Sequence, residues 1–357
     1  MREQRRETTA RGLAGAVASH GLRRRQPIGL ARYYRSLALE TGKFSLDELE
    51  AAAGALTISD VSTFQKNLLR EADLEALVCG NMREAEARSL LASLQKAVPA
   101  APLPPERRPV RRVRRLRRDA DGVAVRQFVG ANAAEKNGAC ELFFQVGRDE
   151  GDDWALLALA AQLVEQPFYG ELRTKQQLGY IVASAVAEEE GVRGLVFAVQ
   201  SAVLPPPELQ KRIEAFVGSF RQTLSRLSDA ELKAKQEALA QQAIDVDTRL
   251  GQQAGRFWGE IALQRYDYGR PWRVAEKIRR LRKAELLALW DDCIAPGGRR
   301  RRPLVTHIFP LGDAPAELRL DPIGGADEAD DEFWPLPEEG VPPEATADFG
   351  SPEVVAV

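Results

Sequence analysis

The sequence predicts an α+β fold in which a layered antiparallel sheet is backed by helices. Strand-like stretches of alternating or β-branched residues follow one another at residues 123–129, 139–146, 180–186 and 192–201. The acidic turn at 188–191 lies between the last two and is typical of a hairpin, which implies antiparallel pairing. Helical patterns then come together, without the regular strand–helix alternation of a doubly wound parallel sheet.

The first third of the chain is predicted to be mostly helical. A periodic stripe over residues 28–41 predicts one helix, the capping-box pattern from Ser45 opens a second, and residues 57–69 and 83–98 give two more. Residues 72–79 predict a short apolar strand.

The elements of the second part are predicted from the spacing of apolar residues and from the residues that begin or end helices and strands. Leu142, Phe144 and Val146 alternate with Phe143 and Gln145, as expected of a strand with two different faces. Asp152 and Asp153 can cap a helix with an apolar stripe. Five further helices and a closing strand are predicted over residues 208–226, 229–248, 250–265, 271–281, 283–292 and 303–309.

These elements divide the chain into two domains with flanking segments. A partial domain is predicted over 26–98, a proline-rich linker over 99–109, and a complete domain over 110–311. Residues 1–25 form a charged lead that is predicted to be disordered. Residues 312–357 hold thirteen acidic residues and one arginine, a composition that also predicts disorder.

Composition limits the class of protein. Three cysteines without a CxxC pair argue against a disulfide-built secreted domain, so a reduced chain in the cytoplasm is expected. The longest apolar runs fall short of the roughly 20 residues that span a bilayer, and no membrane partner is expected. The two histidines, His20 and His307, lie at opposite ends of the sequence and no HxxEH motif occurs, so no metal site is predicted within the chain.

An arginine run at 107–118 leaves two interpretations open. Such a run suggests binding to a polyanion, although no aromatic residues interleave, and nucleic acid is not expected as a partner. The spacing of Val110, Val113 and Leu116 also permits a solvated edge strand.

One block of residues carries a family resemblance. The sequence from Leu172 to Val182, LRTKQQLGYIV, resembles a hallmark of the last domain of the insulin-degrading enzyme, nardilysin and pitrilysin group, the M16 metallopeptidases. GLVFAVQS at 194–201, FWGEI at 257–261 and ADLEALVCGN at 72–81 are similar to further segments of that family.

The resemblance implies an architecture and a function. Family members have four homologous α+β domains in two halves that close around a chamber, and this sequence looks like the end of the third domain and all of the fourth. The zinc motif belongs to the first domain, so zinc is expected only in an amino-terminal half, joined in cis or supplied in trans. The resemblance therefore implies the substrate-binding half of a zinc endopeptidase acting on peptides, inactive alone. The alternative is an inactive relative that binds peptides or a partner protein.

Arg173 and Tyr180 are the predicted substrate-binding residues, and no catalytic residue is predicted. Residues 171–177 favour a helix, Gly179 fits the left-handed position that ends it, and Tyr180 begins a strand. Residue type alone favours structural or solvated roles for both side chains. The resemblance instead implies that the matching arginine and tyrosine hold substrate carbonyls beside the zinc-bound scissile bond.

Roles for neighbouring residues are also predicted. Packing roles are expected for Gln177, Leu178 and Val182. Trp258 is expected to be a core anchor and Glu260 to lie on a helix surface. Cys79 and Cys140 are expected to be buried thiols without reactivity.

Overall fold

The computed structural model describes most of the chain in six segments. These are residues 26–98, 100–108, 110–118, 122–148, 153–323 and 333–334. The predicted disordered lead lies outside the described residues, as does most of the predicted acidic tail.

The amino-terminal part contains the four predicted helices. They are α1 (Pro27–Leu39), α2 (Leu46–Ala55), α3 (Ile58–Leu68) and α4 (Glu84–Ala97). The predicted capping box at the start of α2 is confirmed, since the backbone N–H of Ser45 donates to Glu48 Oε2 at 2.6 Å and the Glu48 N–H donates to Ser45 Oγ at 3.2 Å.

The strand predicted over residues 72–79 is wrong. Only Glu71–Ala72 (β1) forms a strand there, paired in parallel with Ala101–Pro102 (β2) inside the predicted linker. The apolar residues that suggested a strand make another contact, because Leu77 and Cys79 pack against the cluster formed by Phe257, Ile261 and Tyr268.

The second part is built on a five-stranded sheet. Its strands are β3 (Ala124–Val129), β4 (Gly138–Arg148), β5 (Ile181–Glu189), β6 (Val192–Ser201) and β7 (Pro303–Phe309). Their order across the sheet is β3-β7-β4-β6-β5. The predicted hairpin is confirmed as β5–β6, and its turn places Glu190 and Gly191 at φ 44° and 80°. The predicted α+β class is confirmed, but the sheet is mixed, because β3 and β7 are parallel while the other neighbours are antiparallel.

The inner face of the sheet packs against a layer of helices. Leu142 and Phe144 point into this core, where Phe197 of β6 meets Phe168 and Phe216 with ring centroids 5.0 and 6.4 Å away. The helices are α5 (Asp153–Tyr169), α6 (Pro206–Arg226), α7 (Asp229–Ala243), α8 (Leu250–Ala262), α9 (Arg270–Arg280) and α10 (Lys283–Leu289). Short π-helical turns follow α5 at Gly170–Lys175 and α10 at Trp290–Ile294. No helix among the described residues is long and apolar enough to cross a bilayer.

Helix α1 and the arginine-rich segment 111–118 cover the outer face of the sheet. Leu39, Val113 and Leu116 are fully buried there and share a cluster with Phe143. The segment is not an edge strand but lies across the face. Its backbone makes isolated antiparallel bridges, between Val113 and Glu40 and between Arg114 and Phe333. The Gln145 side chain also accepts from the Leu116 N–H at 2.8 Å and donates to the Arg114 carbonyl at 3.0 Å.

A buried charge cluster joins α1 to the same face. Arg35, only 4% exposed, donates to Glu141 Oε1 at 2.6 Å and to Glu189 Oε1 at 3.1 Å. Burial, together with a hydrogen bond to the Glu40 carboxyl, raises the pKa of Glu189 to about 7 despite the arginine. A buried carboxyl group with a pKa near 7 therefore lies between α1 and the sheet.

Part of the chain beyond residue 311, which the composition predicts to be disordered, contacts the domain at residues 319–323 and 333–334. The chain from Arg319 to Asp321 runs beside β3, where the Gln127 N–H donates to the Arg319 carbonyl at 2.7 Å. Asp321 Oδ2 accepts from the Val125 N–H at 3.0 Å. Ile323 is buried in the outer-face cluster. Burial of this apolar side chain offsets part of the entropy cost of ordering the segment, which is the cost on which the prediction of disorder was based.

Candidate functional site

The predicted site lies at the junction between α5 and β5. Helix α5 continues into the π-helical turn 170–175, in which the Gln176 N–H donates to the Glu171 carbonyl at 3.0 Å. Leu172 is fully buried and Leu178 nearly so, which fixes the turn against the core. Single π turns occur frequently at functional sites.

The reason for Gly179 differs from the prediction. The left-handed residue at the end of the helical segment is Gln177, with φ 53°, whereas Gly179 has no such conformation. A Cβ on Gly179 would lie 2.0 Å from the carbonyl oxygen of Gln200 in β6. Glycine is therefore required here by the close approach of two backbones.

The structure brings Arg173 and Tyr180 together. The guanidinium carbon of Arg173 lies 5.4 Å from the centroid of the Tyr180 ring. Tyr180 is 85% exposed, and the half-buried Arg173 keeps its Nε without an acceptor among the described residues. An arginine fork and a phenolic hydroxyl thus sit side by side at the surface, and both can donate hydrogen bonds.

A groove adjoins the π turn. It has a volume of about 630 Å³ and runs between the turn and α6, with Phe216 and Phe220 among its lining residues. Glu171 and Lys175 at its rim form a pair at 2.9 Å, and a hydrogen bond from Lys175 lowers the pKa of Glu171. This volume falls within the range of small-ligand sites.

Three further sequence predictions at and beyond this junction are wrong. Gln177 is exposed and does not pack, although Leu178 and Val182 do, as predicted. Trp258 is 45% exposed, while Glu260 is buried and pairs with Arg265 at 2.7 Å.

The spacing of apolar residues along α8 distinguishes its buried side chains from its exposed ones. Phe257 and Ile261 lie one helical turn apart, and they, rather than Trp258, form the buried stripe. Glu260 precedes Ile261 and shares the edge of that stripe.

The thiols and the one described histidine lie apart from this site. Cys140 is fully buried in β4, and burial raises the pKa of its thiol, whereas Cys79 is only half-buried. His307 is buried in β7, 3.3 Å from the Gln127 amide nitrogen, and burial lowers its pKa to about 4. In the segments that the structure covers, no three His, Cys, Asp or Glu side chains are grouped to hold a metal ion.

Comparisons with known proteins found similar sequences and similar folds. Residues 159–258 match the family model described as PQQ synthase PqqF-like, C-terminal lobe domain 4. Human insulin-degrading enzyme is 27% identical over 294 residues, covering 81% of this chain and 28% of that enzyme. Among solved structures, pitrilysin superposes with a TM-score of 0.70 at 20% identity, covering 94% of this chain and 33% of its own. The peptidase M16 inactive domain from Pseudomonas fluorescens gives 0.58 at 13% identity, covering 88% of this chain and 72% of its own.

The fold is therefore that of M16 peptidase domains. The chain is a homologue of insulin-degrading enzyme and related M16 proteases, as the LRTKQQLGYIV block predicted. It spans 28% of the length of the human enzyme.

Proposed function

We propose that this chain is the substrate-binding, non-catalytic half of a zinc endopeptidase that cleaves peptides. The observation that carries the proposal is the pairing of Arg173 with the exposed Tyr180 at the helix-to-strand junction. The pair lies within the block that resembles the last domain of the family.

In this proposal the two side chains donate hydrogen bonds to backbone carbonyls of an extended peptide. Arg173 has a buried Nε without an acceptor in the described part of the chain, so its donors are suited to an incoming carbonyl. The Tyr180 hydroxyl reaches into solvent, where the scissile carbonyl would be presented. A donor aimed at a developing oxyanion contributes about 3–4 kcal/mol in comparable enzymes.

The proposal assigns the metal and the general base to another polypeptide segment. An amino-terminal M16 half, in cis or in trans, would supply the zinc and close over the bound peptide. The cytoplasm remains the predicted compartment, and the cysteines Cys79, Cys140 and Cys293 are all free thiols.

The test reconstitutes the chain with an amino-terminal M16 half that carries HxxEH and follows cleavage of a quenched fluorogenic peptide. Tyr180→Phe removes only the hydroxyl, and Arg173→Lys keeps the charge but loses the planar fork. Each should lower kcat/KM by about 10- to 1000-fold, or roughly 1.4–4 kcal/mol. Stability should change by less than about 1 kcal/mol.

Matched controls lie close by. Tyr169→Phe alters a half-exposed tyrosine at the other end of the π turn, and Arg226→Lys alters an exposed arginine at the end of α6, outside the groove. Both should leave kcat/KM within about twofold. Full activity in both Tyr180→Phe and Arg173→Lys would show that the block only packs.

A second measurement distinguishes the peptidase proposal from the alternative, in which the chain is an inactive relative that binds peptides or a partner protein. Fluorescence anisotropy with the isolated chain reports peptide binding without any zinc half. Tight binding by the isolated chain, together with no activity in any reconstitution, would replace the peptidase proposal with the binder.

A further inference from the structure

Strand β5 forms an open edge of the five-stranded sheet. It is the last strand in the order β3-β7-β4-β6-β5, so within the described sheet it pairs with β6 alone. Its nine residues extend over about 30 Å, at about 3.3 Å per residue. Among the described residues, no backbone hydrogen bond from outside the sheet reaches Ile181–Glu189. The outer side of β5 therefore presents N–H and C=O groups that are available to another strand.

This edge lacks the features that usually prevent a strand from pairing further. Such features are prolines, bulges, charged side chains and a short strand. The β5–β6 register runs without a shift from Ile181 to Glu189. The first seven residues, IVASAVA, contain neither a proline nor a charged residue, and Glu188 and Glu189 come only at the hairpin end. A long, uncharged edge of this kind is suited to the addition of another strand.

The hairpin turn determines which backbone groups of β5 point outward. Its two-residue loop has positive φ at both positions, 44° at Glu190 and 80° at Gly191, as in a type I′ turn. The flanking residues, Glu189 and Val192, then form a hydrogen-bonded pair, and such pairs alternate with non-hydrogen-bonded pairs along an antiparallel ladder. The outward N–H and C=O groups therefore belong to the even-numbered residues Val182, Ser184, Val186 and Glu188.

The even-numbered residues place their side chains on the inner face of the sheet. Val182 is buried in the inner core and Val186 packs against it, so Ser184, midway between them, lies on the same face. Ser184 is only 9% exposed, yet its hydroxyl has no hydrogen-bond partner among the described residues. A buried hydroxyl without a partner is costly, and a serine or threonine directly opposite on an added strand would satisfy it.

We propose that an extended peptide binds antiparallel to β5 as a sixth strand of this sheet, with a serine or threonine opposite Ser184. Tyr180 immediately precedes β5 and lies beside Arg173, so a peptide held by these two side chains continues along the open edge. In this mode of recognition, main-chain hydrogen bonds supply the affinity and alternate side chains supply the specificity. The inference rests on the proposed function for the choice of a peptide as the occupant, and it adds a preference for uncharged segments that carry a hydroxyl.

The probe is a fluorescein-labelled decapeptide in which four Thr-Val pairs lie between two lysines, and fluorescence anisotropy with the full chain measures its binding. Peptide residues that exchange hydrogen bonds with β5 lie opposite its even-numbered residues, and their side chains share the inner face. With a threonine opposite Ser184, the threonine N–H groups point towards β5 and the valine N–H groups point away from it. A peptide with N-methylated threonines should bind at least about tenfold more weakly than the unmodified probe, whereas one with N-methylated valines should stay within about threefold.

Variants of β5 test the same contact from the side of the protein. Ser184→Ala removes only the hydroxyl and should weaken binding about three- to tenfold. Ser184→Pro also removes an outward N–H without breaking a bond to β6, and it should weaken binding at least about tenfold. Ser93→Ala, at an exposed position of α4, is the control and should keep the affinity within about twofold. Circular dichroism checks that each variant folds, and the two N-methylated peptides test the wild-type chain without any substitution.

Three outcomes would overturn the proposal. One is the absence of saturable binding, and another is equal binding of the two N-methylated peptides. The third is a dimer in sedimentation velocity that dissociates in Ser184→Pro, because a second copy would then occupy the edge. These measurements use no zinc half, so their failure is distinct from failure of the proposed function, which Tyr180→Phe and Arg173→Lys test in the reconstituted enzyme.

Discussion

Replacing Gly179 with alanine would force a new methyl group into the backbone of β6. The added Cβ would lie 2.0 Å from the Gln200 carbonyl oxygen, 3.0 Å from its carbonyl carbon and 3.3 Å from the Ser201 Cα. The obstacle is the main chain of a strand that is paired on both sides, so no flexible side chain can move away. Either the junction or β6 must shift by about an ångström.

The cost follows from that overlap. Overpacking in a tight core costs about 1–3 kcal/mol, and displacement of a paired strand belongs at the upper end, so we expect a loss of about 3 kcal/mol. That corresponds to a fall in Tm of about 6–12 °C, at about 2–4 °C per kcal/mol for domains of 150–250 residues. Urea unfolding followed by circular dichroism measures the loss. Gly170→Ala is the control, because its Cβ would meet no atom within 4 Å and alanine favours a helical turn.

Two further substitutions separate close approach from backbone conformation. If Gly179 served a left-handed position, asparagine would be tolerated there. We expect Gly179→Asn to cost at least as much as alanine, and Gln177→Gly to retain wild-type stability, because glycine adopts φ 53° without steric cost. An alanine variant within about 0.5 kcal/mol of wild type would refute the reasoning.

Two buried titrating groups and the tail give the remaining predictions. Glu189 keeps its proton in the folded state up to a pKa of about 7, above its unfolded value of 4.5, so the stability it contributes falls as pH rises from 5 to 7, by about 2 kcal/mol. Glu189→Gln should abolish that fall in a pH series of urea unfolding curves, and an unchanged slope would contradict the assignment. His307 has a pKa of about 4 in the folded state against 6.5 in the unfolded state, so its effect on stability changes with pH in the opposite direction. Stability is lost as pH falls from 6.5 towards 4, by about 3 kcal/mol, and His307→Gln should remove this loss. Ending the chain at residue 318 removes the pairing beside β3 and the burial of Ile323, and should cost about 2–4 kcal/mol. A chain ending at 334 should match full length in thermal unfolding, and equal Tm values for both truncations would show that the pairing is dispensable.

Much of the fold was predictable because local patterns and burial agree. The alternation around Phe144, the acidic hairpin turn and the capping box at Ser45 each specify their element from neighbouring residues alone. The parallel pairing of β3 with β7 was not predictable, because the two strands are separated by most of the domain and no local pattern encodes which strands become neighbours.

At the candidate site, the sequence indicated Arg173 and Tyr180 but not the contacts that other strands make with the junction. The block containing Arg173 and Tyr180 was recognisable, and the two side chains do lie together. The reason for Gly179 was missed because its constraint comes from Gln200, a residue of another strand.

The position of β7 has a consequence for how the polypeptide reaches its native state. This strand is made late, yet it is inserted between β3 and β4, which leave the ribosome more than 150 residues earlier. Until it arrives, the facing edges of both strands stay unpaired, so the sheet cannot close during synthesis. Such long-range closure makes folding slow and leaves a nascent intermediate prone to association. The order of synthesis and the order of the strands in the sheet therefore oppose each other at β7, and only translation past Phe309 lets β3 and β4 gain their shared neighbour.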